Sequence, residues 1–231
     1  MDRSMKPLDV VYGSAVAGDR QRVLRNTYAL LALSMLPTVL GAWLGVATGF
    51  SFFSGSPFMG LMVFMAVSFG FFFAIEKFKN SGVGVLLLLG FTFFMGLMLS
   101  RMLGMVLGLS NGASLIATAF GGTALVFGGM ATLASTMKRD VSSLGKWLFV
   151  GLIVMIVAGI ANIWLQMPAL YLALSAMGVV IFSAFILYDL KQIIDGGETN
   201  YVTATLSVYL SVYNLFSSLL HLLTALGGGD D

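Results

Sequence analysis

The chain of 231 residues has no cysteine, one histidine, four prolines and few charges, 10% of the total. Without cysteine there is no disulfide, thiol nucleophile or thiolate metal ligand. A single histidine, with no His/Cys cluster around it, leaves little room for zinc. The scarcity of charge excludes a solvated globular surface. With 58% hydrophobic residues and a mean hydropathy of +0.97, a soluble chain of this length could not hide its apolar side chains. A net charge of +2 is too small to argue for nucleic acid.

What is present instead is a series of apolar runs. In helical form, about 20 such residues match the ~30 Å hydrocarbon core of a bilayer. Seven spans can be drawn, at 28–47, 58–75, 83–103, 114–134, 146–164, 168–188 and 203–225. Lipid offers no partner to exposed N–H and C=O groups, so each span reads as a helix. The expected fold class is therefore all-α, a polytopic membrane protein of seven transmembrane helices. Pro37 falls inside the first span and predicts a kink. Pro57 and Pro168 fall at helix starts, where proline is tolerated. The chain divides into a flexible cytoplasmic tail over 1–25, a seven-helix transmembrane domain over 26–226 and a short outer tail over 227–231. The first apolar run begins too late for a signal peptide and reads as an uncleaved anchor.

Charge placement orients the bundle. With the amino end inside, the inner segments carry Arg3, Lys6, Arg20, Arg22, Arg25, Lys77, Lys79, Lys138, Arg139, Lys146 and Lys191, and the outer segments carry only Arg101. Lys and Arg concentrate on cytoplasmic loops. This split predicts a cytoplasmic amino terminus and, with seven spans, a periplasmic carboxyl terminus.

Small residues point to close helix packing, which holds bundles together in lipid. Gly41 and Gly45 form one GxxxG, Gly104 and Gly108 another, and Gly122 and Gly129 share a face of the fourth span. In the last span Thr203, Ser207, Ser211, Asn214, Ser218 and His221 are spaced to fall within about an 80° arc of one helix face. Such a stripe turns toward protein or a polar cavity, not lipid. The seventh helix therefore reads as central. The stripe is either interhelical glue or one wall of an ion path. Asn214 is placed to bridge two helices, and His221 lies near the outer end in a structural or interfacial role. Asn162 and Gln166 read as interface residues.

Asp189 is placed about one turn inside the inner end of the sixth helix, with Lys191 and Lys146 as candidate counter-ions. The loop motif Asp195, Gly196, Gly197, Glu198, Thr199, Asn200 and Tyr201 reads largely as turn chemistry. Glycine stops one helix and Thr199 or Asn200 caps the next. Asp189 is not explained by that turn. Enzyme readings fail at the motifs: no GxGD supplies a second aspartate, no GxSG turn supplies a serine, and the last span has no lysine for a retinal adduct. No catalytic or metal-binding residue is assigned.

"VLRNTY", "GGTALVF", "ANIWLQMPAL", "ILYDLKQI" and "IDGGETNYVTATLSVYLSVYNLF" resemble the Bax inhibitor-1 family. They are most similar to its bacterial branch of inner-membrane modulators of the protease FtsH. The similarity runs from about residue 20 to 226. It implies a seven-helix fold with a central last helix, the inner (cytoplasmic) membrane as location, and no enzymatic activity. Its implied partners are FtsH with its associated membrane complex and the lipid bilayer. The implied role is a modulator of that protease. A polar tail at the cytoplasmic face would give an ATP-driven protease a handle, so the expected mechanism is occupation of the protease as a slow substrate, with the tail residues Arg3, Lys6, Arg20 and Arg22 as the engagement candidate. The alternative is a pH-sensitive calcium or cation leak, with no cofactor beyond a transient calcium ion or proton. Family members of that type share a proton between two aspartates in the last two helices. The first matches Asp189; the second falls on Ser211, where those members show YLDFINLF and this chain has YLSVYNLF. Asp189, Ser207, Ser211, Asn214, Ser218 and His221 are the candidates for that path.

Overall fold

The structure, a computed structural model, describes residues 6–50 and 57–227, with the side chains of 6–17 and of residue 57 outside that description. The described residues form α1 (Lys6–Thr48), α2 (Pro57–Phe78), α3 (Gly82–Leu107), α4 (Gly112–Thr136), α5 (Ser142–Leu165), α6 (Pro168–Asp195) and α7 (Tyr201–Gly227). All seven are long and apolar enough to cross a membrane. No strand occurs among the described residues. Satisfying the backbone within each helix is what a lipid environment requires.

Two spans are longer than composition suggests. The stretch read as a flexible tail is helical from Lys6 onward and runs into the first span without a break, making a 43-residue helix that passes through Pro37. Between Lys6 and Arg25 nothing strongly opposes a helix. Pro7 sits in the first turn, where its missing N–H costs nothing, and Gly13 and Gly18 each cost only about 1 kcal/mol. Arg3 lies outside the described residues, as do 228–231. Helix α6 continues seven residues past the drawn boundary, to Asp195.

Helix α7 packs against α1, α2, α3, α4 and α6. Its buried residues, among them Val202, Thr205, Tyr209, Ser211, Leu215 and Ser218, lie on several faces. It is the central helix. Around it Ile75, Leu88, Phe91, Ile186 and Leu190 are fully buried, and Phe91 meets Phe72 edge-to-face with ring centres 5.3 Å apart. Helix α5 packs chiefly on α6. Leu148 is its one buried residue among those described, and it presents Trp147, Val157 and Trp164 outward, as a lipid-facing helix does.

The seam between α1 and α3 is a backbone contact. A methyl at Gly41 would land on the carbonyl of Phe93, one at Gly45 on the Ser100 side chain, and one at Gly96 on the carbonyl of Thr38. The first GxxxG is thus a packing motif. The glycines of the other two motifs are not. Gly104 and Gly129 face open space, Gly108 ends α3, and Gly122 makes only ordinary contact with Leu219. The α1 extension, the α2–α3 turn, the α4–α5 loop and the α6–α7 turn share one end of the bundle, which by sequence is the basic end.

Candidate functional site

The strongest polar site lies at the basic end, between α6 and α7. Asp189 sits six residues before the end of α6, deeper than one turn. Ser211 Oγ donates to Asp189 Oδ2 at 2.9 Å, and its oxygen also lies 3.1 Å from the Ser207 carbonyl. One hydroxyl proton serves one acceptor at a time, so the carboxylate and the helix backbone compete for it. Asp189 borders a cavity of about 240 Å³ lined by Tyr188, Gln192, Gly197, Glu198, Ala204 and Ser207 as well. Two carboxylates, a carboxamide, a phenol and a hydroxyl converge on it, an acceptor-rich lining suited to a cation or to ordered water.

The expected counter-ions are elsewhere. Lys191, 6% exposed, donates to Asp195 Oδ1 at 2.8 Å. Lys146 is exposed on α5, and no ion pair to Asp189 forms among the described residues. Helix geometry explains this. Positions two apart point to different faces, whereas positions four apart share one. Lys191 therefore meets Asp195 and turns away from Asp189.

The turn after α6 is built as its residues dictate. Gly196 has φ +84°, a left-handed conformation that glycine adopts freely. The N–H groups of Gly197 and Glu198 return to the Gln192 carbonyl at 2.8 and 3.2 Å. Asn200, rather than Thr199, caps α7: its Oδ1 accepts from Val202 N–H at 2.9 Å and from Thr203 N–H at 3.3 Å. Asn200 Nδ2 donates to Asn80 Oδ1 at 2.7 Å, tying this turn to the α2–α3 turn. Glu198 Oε1 accepts from Asn200 N–H at 2.8 Å while lining the cavity. Tyr201 opens α7 and packs on the main core.

The polar stripe of α7 faces α6. Ser207 reaches the cavity, and Ser211 binds Asp189. Ser218 is buried against Gly178, where a methyl would land on its Oγ. The His221 ring stands 4.8 Å from that of Tyr171 on α6. Asn214 does not bridge helices as expected; it donates to the Leu210 carbonyl of its own helix at 2.8 Å. Its position on the stripe does not bring it a polar partner on α6, so its donor returns to the backbone one turn earlier. Asn214, Ser218 and His221 do not line the cavity. The stripe is thus an interhelical seam over most of its length and a cavity wall at one end. Asn162 and Gln166 belong to the α5–α6 turn: Asn162 Oδ1 accepts from Met167 N–H at 3.0 Å, and Gln166 takes φ +49°.

Three features escaped the sequence reading. Tyr188 and Gln192 complete the cavity; their spacing from Asp189 was the available signal, since one flanks it and the other lies three residues on. Tyr209 hydroxyl and Thr38 Oγ1 are 2.9 Å apart and Tyr213 hydroxyl donates to the Met95 carbonyl at 3.2 Å, so α7 is tied to α1 and α3 on the side away from the stripe. Arg20 lies over Gly196. Arg22 makes only a long, exposed contact to Asp19, 4.0 Å, of little energetic weight. The Lys6 side chain is outside the described residues.

A model of the family described as "Inhibitor of apoptosis-promoting Bax1" matches residues 20–228. This chain is a member of the Bax inhibitor-1 family. An uncharacterized protein of Neisseria meningitidis is 39% identical over 224 residues, 96% of this chain and 99% of that protein. An uncharacterized protein of Pseudomonas aeruginosa is 41% identical over 220 residues, 94% and 96% of the two chains. The Escherichia coli relative named "Modulator of FtsH protease YccA" is 40% identical over 202 residues, 87% of this chain and 89% of its own. In this Bax inhibitor-1 member, no group of three or more His, Cys, Asp or Glu that could hold a metal ion occurs among the described residues.

Proposed function

We propose that this protein is a non-enzymatic inner-membrane modulator of an FtsH-type protease, and that it acts as a slow substrate. The observation carrying the modulator reading is the similarity, over 87% of this chain, to a protein named a modulator of FtsH protease; the slow-substrate part is argued from the fold. The fold supplies the mechanism. On the orientation given by the positive-inside rule, the basic end faces the cytoplasm and the α1 extension projects there as a handle. An ATP-driven protease pulling on that handle draws on α1 first. Helix α1 is not peripheral: it is interlocked backbone-to-backbone with α3 at Gly41 and Gly96 and meets Tyr209 of α7 through Thr38. Extraction must break the centre of the bundle at its first step, so the enzyme is held for a long time per chain. Had the handle led into α5, which packs chiefly on one neighbour, removal would be easier. Deleting residues 2–20 is expected to lengthen the protein's half-life in cells with active FtsH. Unchanged turnover would remove the extension from the mechanism.

A second reading is supported by the cavity at Asp189. A pH-gated cation leak would pass the Asp189–Ser211 pair. Calcium flux into proteoliposomes at pH values of about 6 and 8, with Asp189→Asn as the comparison, separates the two. Flux that vanishes in the variant favours the leak. Absence of flux at either pH leaves the modulator.

A further inference from the structure

Helix α6 carries no basic residue in its last turn. Lys191 lies just before that turn and is occupied by Asp195. The negative end of the α6 dipole is thus left for a cation from elsewhere. The cation that packs on this end is Arg20 of α1, by contact with Gly196 and, among the described residues, not by a hydrogen bond or ion pair. The Arg20 guanidinium lies directly over Gly196: a methyl there would stand 2.6 Å from Nε and 3.0 Å from Cζ and Nη2. Gly196 is therefore constrained twice, by its φ of +84° and by the arginine resting on it. The turn that receives Arg20 is hydrogen-bonded on both sides. It is closed on Gln192 and tied through Asn200 to Asn80. Its next residues, Gly197 and Glu198, form one wall of the Asp189 cavity. Arg22, two positions on, points to solvent with Asp19.

We infer that Arg20 clasps the extension of α1 onto the α6–α7 turn, and that this contact is the latch that a protease must open before it can pull the chain by its amino end. The latch function rests on the slow-substrate reading; the clasp does not. Arg20 closes a bridge between the handle and the hub where α2, α3, α6 and α7 meet. While it holds, force on the extension is shared with that hub. Once it opens, the extension is held only by its continuity with α1 and by Val23 and Leu24 on the main core, and a helix end without other contacts frays.

The test uses the full chain in proteoliposomes as wild type, Arg20→Ala, Arg20→Lys and Arg22→Ala. Amide exchange over residues 18–25 is measured alongside ATP-dependent degradation by purified FtsH. Arg20→Ala should speed exchange roughly fivefold, the size of a helix-end charge interaction, and shorten the lag before degradation. Arg20→Lys, which keeps the charge but loses the flat guanidinium, should fall between Arg20→Ala and wild type. Arg22→Ala should match wild type, although it removes the same charge from the same exposed helix. Equal exchange in Arg20→Ala and wild type would overturn the clasp, as would equal effects of Arg20→Ala and Arg22→Ala. Faster exchange with an unchanged lag would overturn the latch. Faster exchange in Arg20→Ala with neither chain degraded at all would support the clasp and contradict the FtsH reading itself.

Discussion

At the scale of single residues, Asp189 is the group that most needs a partner, because a carboxylate taken out of water is costly without hydrogen bonds. Ser211 is the partner the structure provides. Ser211→Ala leaves the carboxylate short of a donor and is expected to destabilise the bundle by about 1–3 kcal/mol, read from thermal unfolding in detergent. Tyr209→Phe removes the link to Thr38, whose Oγ1 keeps its bond to the Ser34 carbonyl. Its cost is therefore expected to be smaller, about 0.5–1.5 kcal/mol. Much of this site was legible beforehand. The carboxylate in an apolar run, the glycine stop and a cap at Thr199 or Asn200 follow from residue type, and the pairing of Asp189 with Ser211 followed from the family resemblance. The direction of Lys191 was not, because proximity in sequence was taken for proximity in space. The cavity was not legible either, since it depends on how Gly197 and Glu198 fold back over α6.

At the scale of elements, the helices were readable because lipid imposes their length and internal hydrogen bonding. The extension of α1 was hidden for the converse reason. The segment is too short of apolar residues to read as a span and its composition resembles that of a tail, although Leu8, Val11, Tyr12, Ala15 and Val16 stand at helical spacing. The glycine motifs show the same limit. GxxxG states that close approach is allowed, not that a neighbour takes it. Gly41 and Gly45 have one in α3, whereas Gly104 and Gly129 face open space. Gly96→Val should consequently be among the most damaging substitutions, because its side chain meets backbone that cannot move aside. Gly129→Val should be nearly silent. Folded yield in membranes, or unfolding in a denaturing detergent, is expected to separate the two by at least about 1–3 kcal/mol. At the start of α5, Asp140 accepts from the backbone N–H and the hydroxyl of Ser142, both at 2.8 Å. These bonds hold its carboxyl below the usual range. A depressed carboxylate stabilises the fold above its unfolded pKa and loses that contribution as pH falls through the lower folded value. The start of α5 should therefore loosen only in strong acid, and Asp140→Ala should abolish that step in amide exchange.

At the scale of the whole molecule, the proposed function asks for a bundle that resists being unravelled from its amino end, and a central α7, an interlocked α1 and an α5 packed chiefly on one neighbour fit that requirement. That asymmetry is what a slow substrate of a pulling protease needs. The most direct measurement reconstitutes purified FtsH with a second membrane-protein substrate and follows that substrate's degradation with and without this protein. The full chain is expected to slow it, and a chain lacking residues 2–20 to leave it unaffected. Degradation at the same rate in all three cases would contradict the account.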